Sequence, residues 1–126
     1  MSSDQALHQF WSRFGWVAYD ASTVPSQELS PGMPRITYEV AKSEFEAPVT
    51  LSASLWDESY SWADISQKAD EIYEYIGLGG TFVSYDYGNS KLWIKRGPVF
   101  AQRMTDENDK IRRIYLTIEV EYLTAK

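Results

Sequence analysis

The side chains able to do chemistry in this chain are few and scattered. Nucleophilic catalysis needs a Ser, Thr or Cys beside a base, and the chain has one histidine and no cysteine. His8 falls close to Phe10 and Trp11, at the edge of an apolar helical stripe, so it reads as a half-exposed helix histidine rather than a general base. One histidine without cysteine also leaves no zinc set. Three groups of carboxylates remain: Asp57 with Glu58; Asp70, Glu71 and Glu74; and Asp106, Glu107 and Asp109. Asp70 and Glu74 are four apart on the solvent face of a helix, which is ordinary solvation. The acidic run at 106–109 resembles part of a calcium loop. It lacks the central glycine and the glutamate at the twelfth position, and a polar hairpin tip accounts for it better.

Glycines and aromatics offer other chemistry. Gly77, Gly79 and Gly80 are followed by strand-like sequence, whereas a phosphate cradle opens into a helix, so these are turn glycines. Tyr85, Tyr87 and Trp93 lie across the Gly88-Asn89 turn and at alternate positions. They could form an aromatic strip that stacks sugars or single-stranded bases, or simply pack across strands or against another subunit. Arg96, Arg103, Arg112 and Arg113 gather basic charge in the C-terminal half, available to acids on a neighbouring copy. No cofactor or metal is expected.

The elements that must carry these residues are written in the periodicity. Ile36, Tyr38 and Val40 share one face of a two-residue repeat, as do Val49, Leu51, Ala53 and Leu55, which predicts antiparallel strands over 35–42 and 49–57. From Trp62 the period changes. Trp62, Ile65, Ala69, Ile72, Tyr73 and Ile76 are three and four apart, predicting a helix with Ser61 as N-cap, Asp64 in its first turn and Gly77 at its end. Upstream, Ser2 and Gln5 suit a capping box for a first helix whose stripe is Ala6, Leu7, Phe10, Trp11 and Phe14, ending at Gly15. That stripe docks on the domain's own sheet or covers a neighbour. A short strand is possible at 16–19 before Pro25, Pro31, Gly32 and Pro34 break the pattern. The segment 17–34 therefore reads as a long proline-rich arm, either a partner-binding segment or a wandering loop. Strands follow at 81–87, 91–96 and 99–104. In the last strand Ile114, Leu116, Ile118, Val120 and Tyr122 face one way, and Arg113, Tyr115, Thr117, Glu119 and Glu121 the other. The expected fold is α+β, with a mainly antiparallel sheet of about six strands and two helices on one face, in the order α-β-β-α-β-β-β-β.

Composition narrows the function classes. The 126 residues suit one domain spanning 1–126, and 44% hydrophobic content with five Trp and nine Tyr argues for a folded core. The net charge of −6 argues against a duplex-DNA reader, which needs a basic surface, though an acidic channel would let DNA slide. No apolar run approaches the roughly eighteen residues of a membrane span, and no signal pattern opens the chain, so a soluble, cytosolic origin is expected.

The words Pro34-Arg35-Ile36-Thr37-Tyr38, Ser54-Leu55-Trp56-Asp57, Ser59-Tyr60-Ser61-Trp62 and Ala69-Asp70-Glu71-Ile72 resemble the small tail-terminator, or tail-completion, proteins of long-tailed bacteriophages and prophages. The resemblance runs from about Pro34 to the C-terminal strand and is strongest over 34–77. It implies a non-enzymatic structural subunit of the virion tail and neck, made in the bacterial host cytoplasm. Such a subunit forms a hexameric ring that caps the tail tube, stops its growth and meets the head-tail connector protein, while DNA passes through the lumen without specific binding. No catalytic residue comes with that family. Trp56, which alternates away from Leu55, is the residue expected to face a neighbour or the first helix, and Trp62 is expected to pack inward. The alternative is a carbohydrate- or single-strand-binding module using Tyr85, Tyr87 and Trp93. A small hydrolase using Asp57, Asp70 and Asp106 is a third reading with no substrate class attached.

Overall fold

The structure is a computed structural model, and it describes residues 2–23, 33–41, 48–105 and 108–124. The central part of the proline-rich arm, most of the connection between the second and third strands, and Asp106 with Glu107 lie outside the described residues. The fold is α+β, a six-stranded mixed sheet with two helices. Helix α1 (Ser3–Ser12) begins at Ser2, whose Oγ accepts from the Gln5 N–H while Gln5 Oε1 accepts from the Ser2 N–H, a complete capping box. It ends before Gly15, at Arg13. Strand β1 (Val17–Asp20) and a single 3-10 turn (Ala21–Thr23) follow. Then come β2 (Arg35–Tyr38), β3 (Val49–Glu58), helix α2 (Ala63–Ile76), β4 (Thr81–Tyr85), β5 (Ser90–Met104) and β6 (Ile111–Thr124).

The observed element order is α-β-β-β-α-β-β-β, which corrects the expected one at two places. The short N-terminal strand is real and joins the sheet parallel to β2, while every other pairing is antiparallel. Parallel neighbours need a crossover of about a dozen residues or more, and the stretch 21–34 supplies it. The two strands expected at 91–96 and 99–104 are one long strand. Gly97 and Pro98 do not end it: pairing runs to Arg96↔Ile118 and resumes at Ala101↔Leu116, so the extra β5 residues form a bulge. A Cβ on Gly97 would collide with Thr117, whose hydroxyl donates to the Val99 carbonyl at 2.6 Å. The sheet order is β1-β2-β3-β6-β5-β4, so the last strand, β6, lies between β3 and β5.

Both helices lie on the face built by Leu51, Ala53 and Leu55 of β3, Leu92 and Ile94 of β5, and Ile114, Leu116, Ile118 and Val120 of β6. Helix α2 lays Ile65, Ala69, Ile72 and Ile76 on β3, β5 and β6; helix α1 lays Leu7, Phe10 and Trp11 towards β1, β4 and β5. Each fully buried Leu or Ile contributes about 2 kcal/mol, so this one-sided core holds the domain. Ser61 is not the N-cap of α2. Trp62 already has helical backbone and its carbonyl accepts from Ser66, so Ser61 closes a tight turn instead, its hydroxyl accepting from the Ala63 N–H at 3.0 Å. Neither helix is long and apolar enough to cross a membrane.

Candidate functional site

Because both helices cover one side, the opposite face of the sheet is left, among the described residues, to the outward-pointing side chains, and strand registry sorts them into cross-strand rows. One row runs Arg35 (β2), Trp56 (β3), Arg113 (β6), Met104 (β5). The Trp56 ring is flanked by both guanidinium groups, with Arg113 at 4.6 Å and Arg35 at 5.6 Å from its centroid. Its indole N–H donates to Thr37 Oγ1 at 3.0 Å, and Arg113 Nε donates to Ser54 Oγ at 3.0 Å. The next row is Tyr19, Thr37, Ser54, Tyr115 and Gln102. At the other end Glu121 pairs in register with Trp93, and Trp93 with Phe82. There Phe82 and Trp93 stack with centroids 5.5 Å apart, and Lys95 sits 3.9 Å over the Trp93 ring while bridging Glu121 at 3.5 Å. The face thus carries an arginine-tryptophan end, a hydroxyl-rich middle and an aromatic end with mixed charge. Trp56 therefore faces away from α1, which lies on the other side of the sheet.

The proposed aromatic strip does not form. Tyr85 shares the helix-covered side of β4 with Val83 and packs against the core, Trp93 lies on the uncovered side, and Tyr87 stands 99% exposed in the turn after β4. The turn is the cause. Asp86 and Tyr87 both take φ of 54°, in the left-handed region, and Gly88 follows at 86°, so alternation stops at Tyr85.

The arginines separate as well. Only Arg113 reaches the uncovered face. Arg96 lies at the end of α2, where Nε and Nη2 donate to the Tyr73 carbonyl at 3.1 and 2.8 Å and the guanidinium stacks 3.3 Å over the Tyr73 ring. Arg103 and Arg112 flank the half-buried Trp62 ring at 4.7 and 5.2 Å, and Arg112 also donates to the carbonyls of Asp109 and Tyr60, both at 2.8 Å. These three have intrachain roles that spacing in sequence does not reveal. Arg35 and Phe82, by contrast, belong to the uncovered face and were missed. Their signal was parity: each sits directly across a strand pair from a tryptophan.

His8 is exposed, and its imidazole bonds Tyr38 Oη through Nδ1 at 2.8 Å and Ser12 Oγ through Nε2 at 3.2 Å. The chain Ser12–His8–Tyr38 has the outline of a nucleophile, a base and an orienting group, which the four-residue spacing of His8 and Ser12 on one helix could have signalled. Its protonation works against catalysis. Burial, then the charges of Asp20 and Asp4, push the Tyr38 phenol up to about 12, so it stays protonated and lacks the charge that would stabilise an imidazolium. When it donates to Nδ1, the proton of the neutral ring is on Nε2, which then donates to Ser12 instead of accepting from it. Tyr122 is likewise pushed up to about 12, by burial and then by Asp4 and Tyr85, and its hydroxyl donates to the Ala41 carbonyl at 2.7 Å. Among the described residues no three His, Asp or Glu side chains are placed to hold a metal ion. Comparison of the chain with protein-family models, curated proteins and solved structures finds no match.

Proposed function

We propose that this chain is a structural assembly subunit of the tail-terminator type, which forms a ring on the end of a phage tail tube and presents a surface to the head-tail connector. The observation that carries the reading is the uncovered sheet face. A six-stranded sheet with helices on one side only presents a broad second face, and here that face is set with Trp56, Tyr115, Trp93 and Phe82 among arginines and carboxylates. Aromatic residues and arginine are the residue types that anchor protein interfaces. The sequence resemblance supplies the kind of assembly. The net charge of −6 is compatible with a lumen that DNA crosses without adhering.

Binding of sugars or single strands draws less support, because Tyr85, Tyr87 and Trp93 do not share a surface. The test is co-expression with a long-tailed phage tail-tube protein, followed by electron microscopy and native mass spectrometry of the tubes. The wild type is expected to cap tube ends with a ring of six copies and to restrain tube length. Trp56→Ser combined with Arg113→Ser is expected to keep the monomer folded and abolish capping. Tubes left uncapped by the wild-type chain, or capped equally well by the double variant, would overturn the reading or the face assigned to it.

A further inference from the structure

A second surface, away from the uncovered sheet face, is an open cleft of about 410 Å³ between the end of β3 and the first half of α2. Asp57, Asp64 and Glu71 line it, with Gln67, Lys68 and the indole of Trp16. Asp57 is the unusual member. Its residue is only 9% exposed, yet no hydrogen bond or ion pair reaches its carboxylate among the described residues. Its oxygens are not among the buried unpartnered atoms, so the carboxylate opens onto the cleft.

Neither neighbouring cation bonds Asp57, although the buried Arg112 Nε–H has no partner among the described residues. Lys68 Nζ donates to the Phe14 carbonyl at 2.6 Å and bridges Glu71 at 3.2 Å. Arg112, the register partner of Asp57, turns its Nη donors to the carbonyls of Asp109 and Tyr60 and its plane to Trp62. Residues 24–32, which lie outside the described residues, contain no lysine or arginine. Among the described residues three carboxylates against one already-bonded ammonium leave the cleft net negative, and no three of them are placed to hold a metal ion, which favours an organic cation.

Resting on the assembly-subunit reading, we propose that this cleft receives an arginine side chain presented by a partner chain, with Asp57 as its principal anion. A guanidinium fits better than an ammonium. Its planar fork can donate to Asp57 and Asp64 together, and its face can lie on the Trp16 indole.

The test uses the chain alone, so its outcome is independent of ring formation. N-acetyl-L-arginine amide is titrated at constant ionic strength while backbone amides and the Trp16 indole N–H are followed by NMR. The indole signal is assigned with Trp16→Phe. Saturable shifts at Trp16, Asp57 and Asp64 are expected, with none from the uncharged N-acetyl-L-citrulline amide. Asp57→Asn is expected to weaken binding about tenfold, the loss of one charge-assisted bond. Asp64→Asn, at an exposed position, is a second variant whose folding is not in question and should weaken it about threefold. An equal response to the citrulline amide or to magnesium chloride, or unchanged affinity in both variants, would overturn the proposal. Tighter binding of free L-arginine than of the blocked amide would also overturn it, by pointing to a metabolite rather than a side chain. Tube capping without arginine-amide binding would remove the cleft proposal and leave the ring; binding without capping would do the reverse.

Discussion

Arg96 offers the sharpest test of whether these local contacts stabilise the fold. Helix α2 has no basic residue in its own last turn, so the guanidinium reaching across from β5 is the cation at that helix end. In Arg96→Met the apolar stem is largely kept and three overlapping contributions go. The forked pair of bonds to the Tyr73 carbonyl is solvent-exposed and contributes about 1 kcal/mol, below the range for buried charged bonds. Stacking over Tyr73 adds about 0.5–1 kcal/mol. The charge at the negative end of the helix dipole adds about 0.3–1 kcal/mol. Since one group makes all three, they do not sum fully, and a loss of about 1.5–2.5 kcal/mol is expected. For a domain of this size that lowers Tm by roughly 5–12 °C. Arg96→Lys keeps the charge but loses the planar fork, so it should recover less than half. Urea and thermal unfolding of the three proteins decide it. A loss below about 0.5 kcal/mol in Arg96→Met, within the range of an ordinary surface substitution, would refute the capping role. So would an Arg96→Lys variant as stable as the wild type.

Two further outcomes follow from packing and titration. Gly97→Ala places a methyl against the Thr117 backbone and hydroxyl and should cost about 2–3 kcal/mol in urea unfolding, whereas Gly79→Ala, with nothing within 4 Å of its Cβ, should change stability by no more than about 0.5 kcal/mol. Tyr38 and Tyr122 have folded pKa values near 12 against 10.0 unfolded. The folded state therefore holds these protons more tightly, their contribution is complete below pH 10, and it is lost as pH rises from about 10 to 12. Urea midpoints measured across that window should fall more steeply for the wild type than for Tyr38→Phe/Tyr122→Phe, and parallel profiles would contradict the assignment.

Parity made much of the uncovered face legible in advance. Arg113, Tyr115, Thr117, Glu119 and Glu121 alternate against an apolar row in β6, and they do lie together opposite the helices. The same reasoning failed at Tyr87, because alternation holds only while the backbone is extended and the turn reverses it. It failed at Gly97-Pro98 for a different reason. Glycine and proline weaken a strand locally, but β6 pairs with both flanks, and the ladder on either side holds the bulge within one strand.

By itself the sequence determined what local periodicity encodes: two amphipathic helices, the Ser2 capping box, the core rows of β3 and β6, and the absence of a cysteine or histidine cluster. Only the tertiary structure decided what depends on distant segments meeting. It placed Arg35 and Arg113 on either side of Trp56, turned Arg96 to the end of α2, and brought Asp57 and Trp16 to one cleft. A side chain's face follows from backbone period within its own element, whereas its partner follows from strand order and register. Those were set here by the parallel entry of β1 and by β6 inserting between β3 and β5.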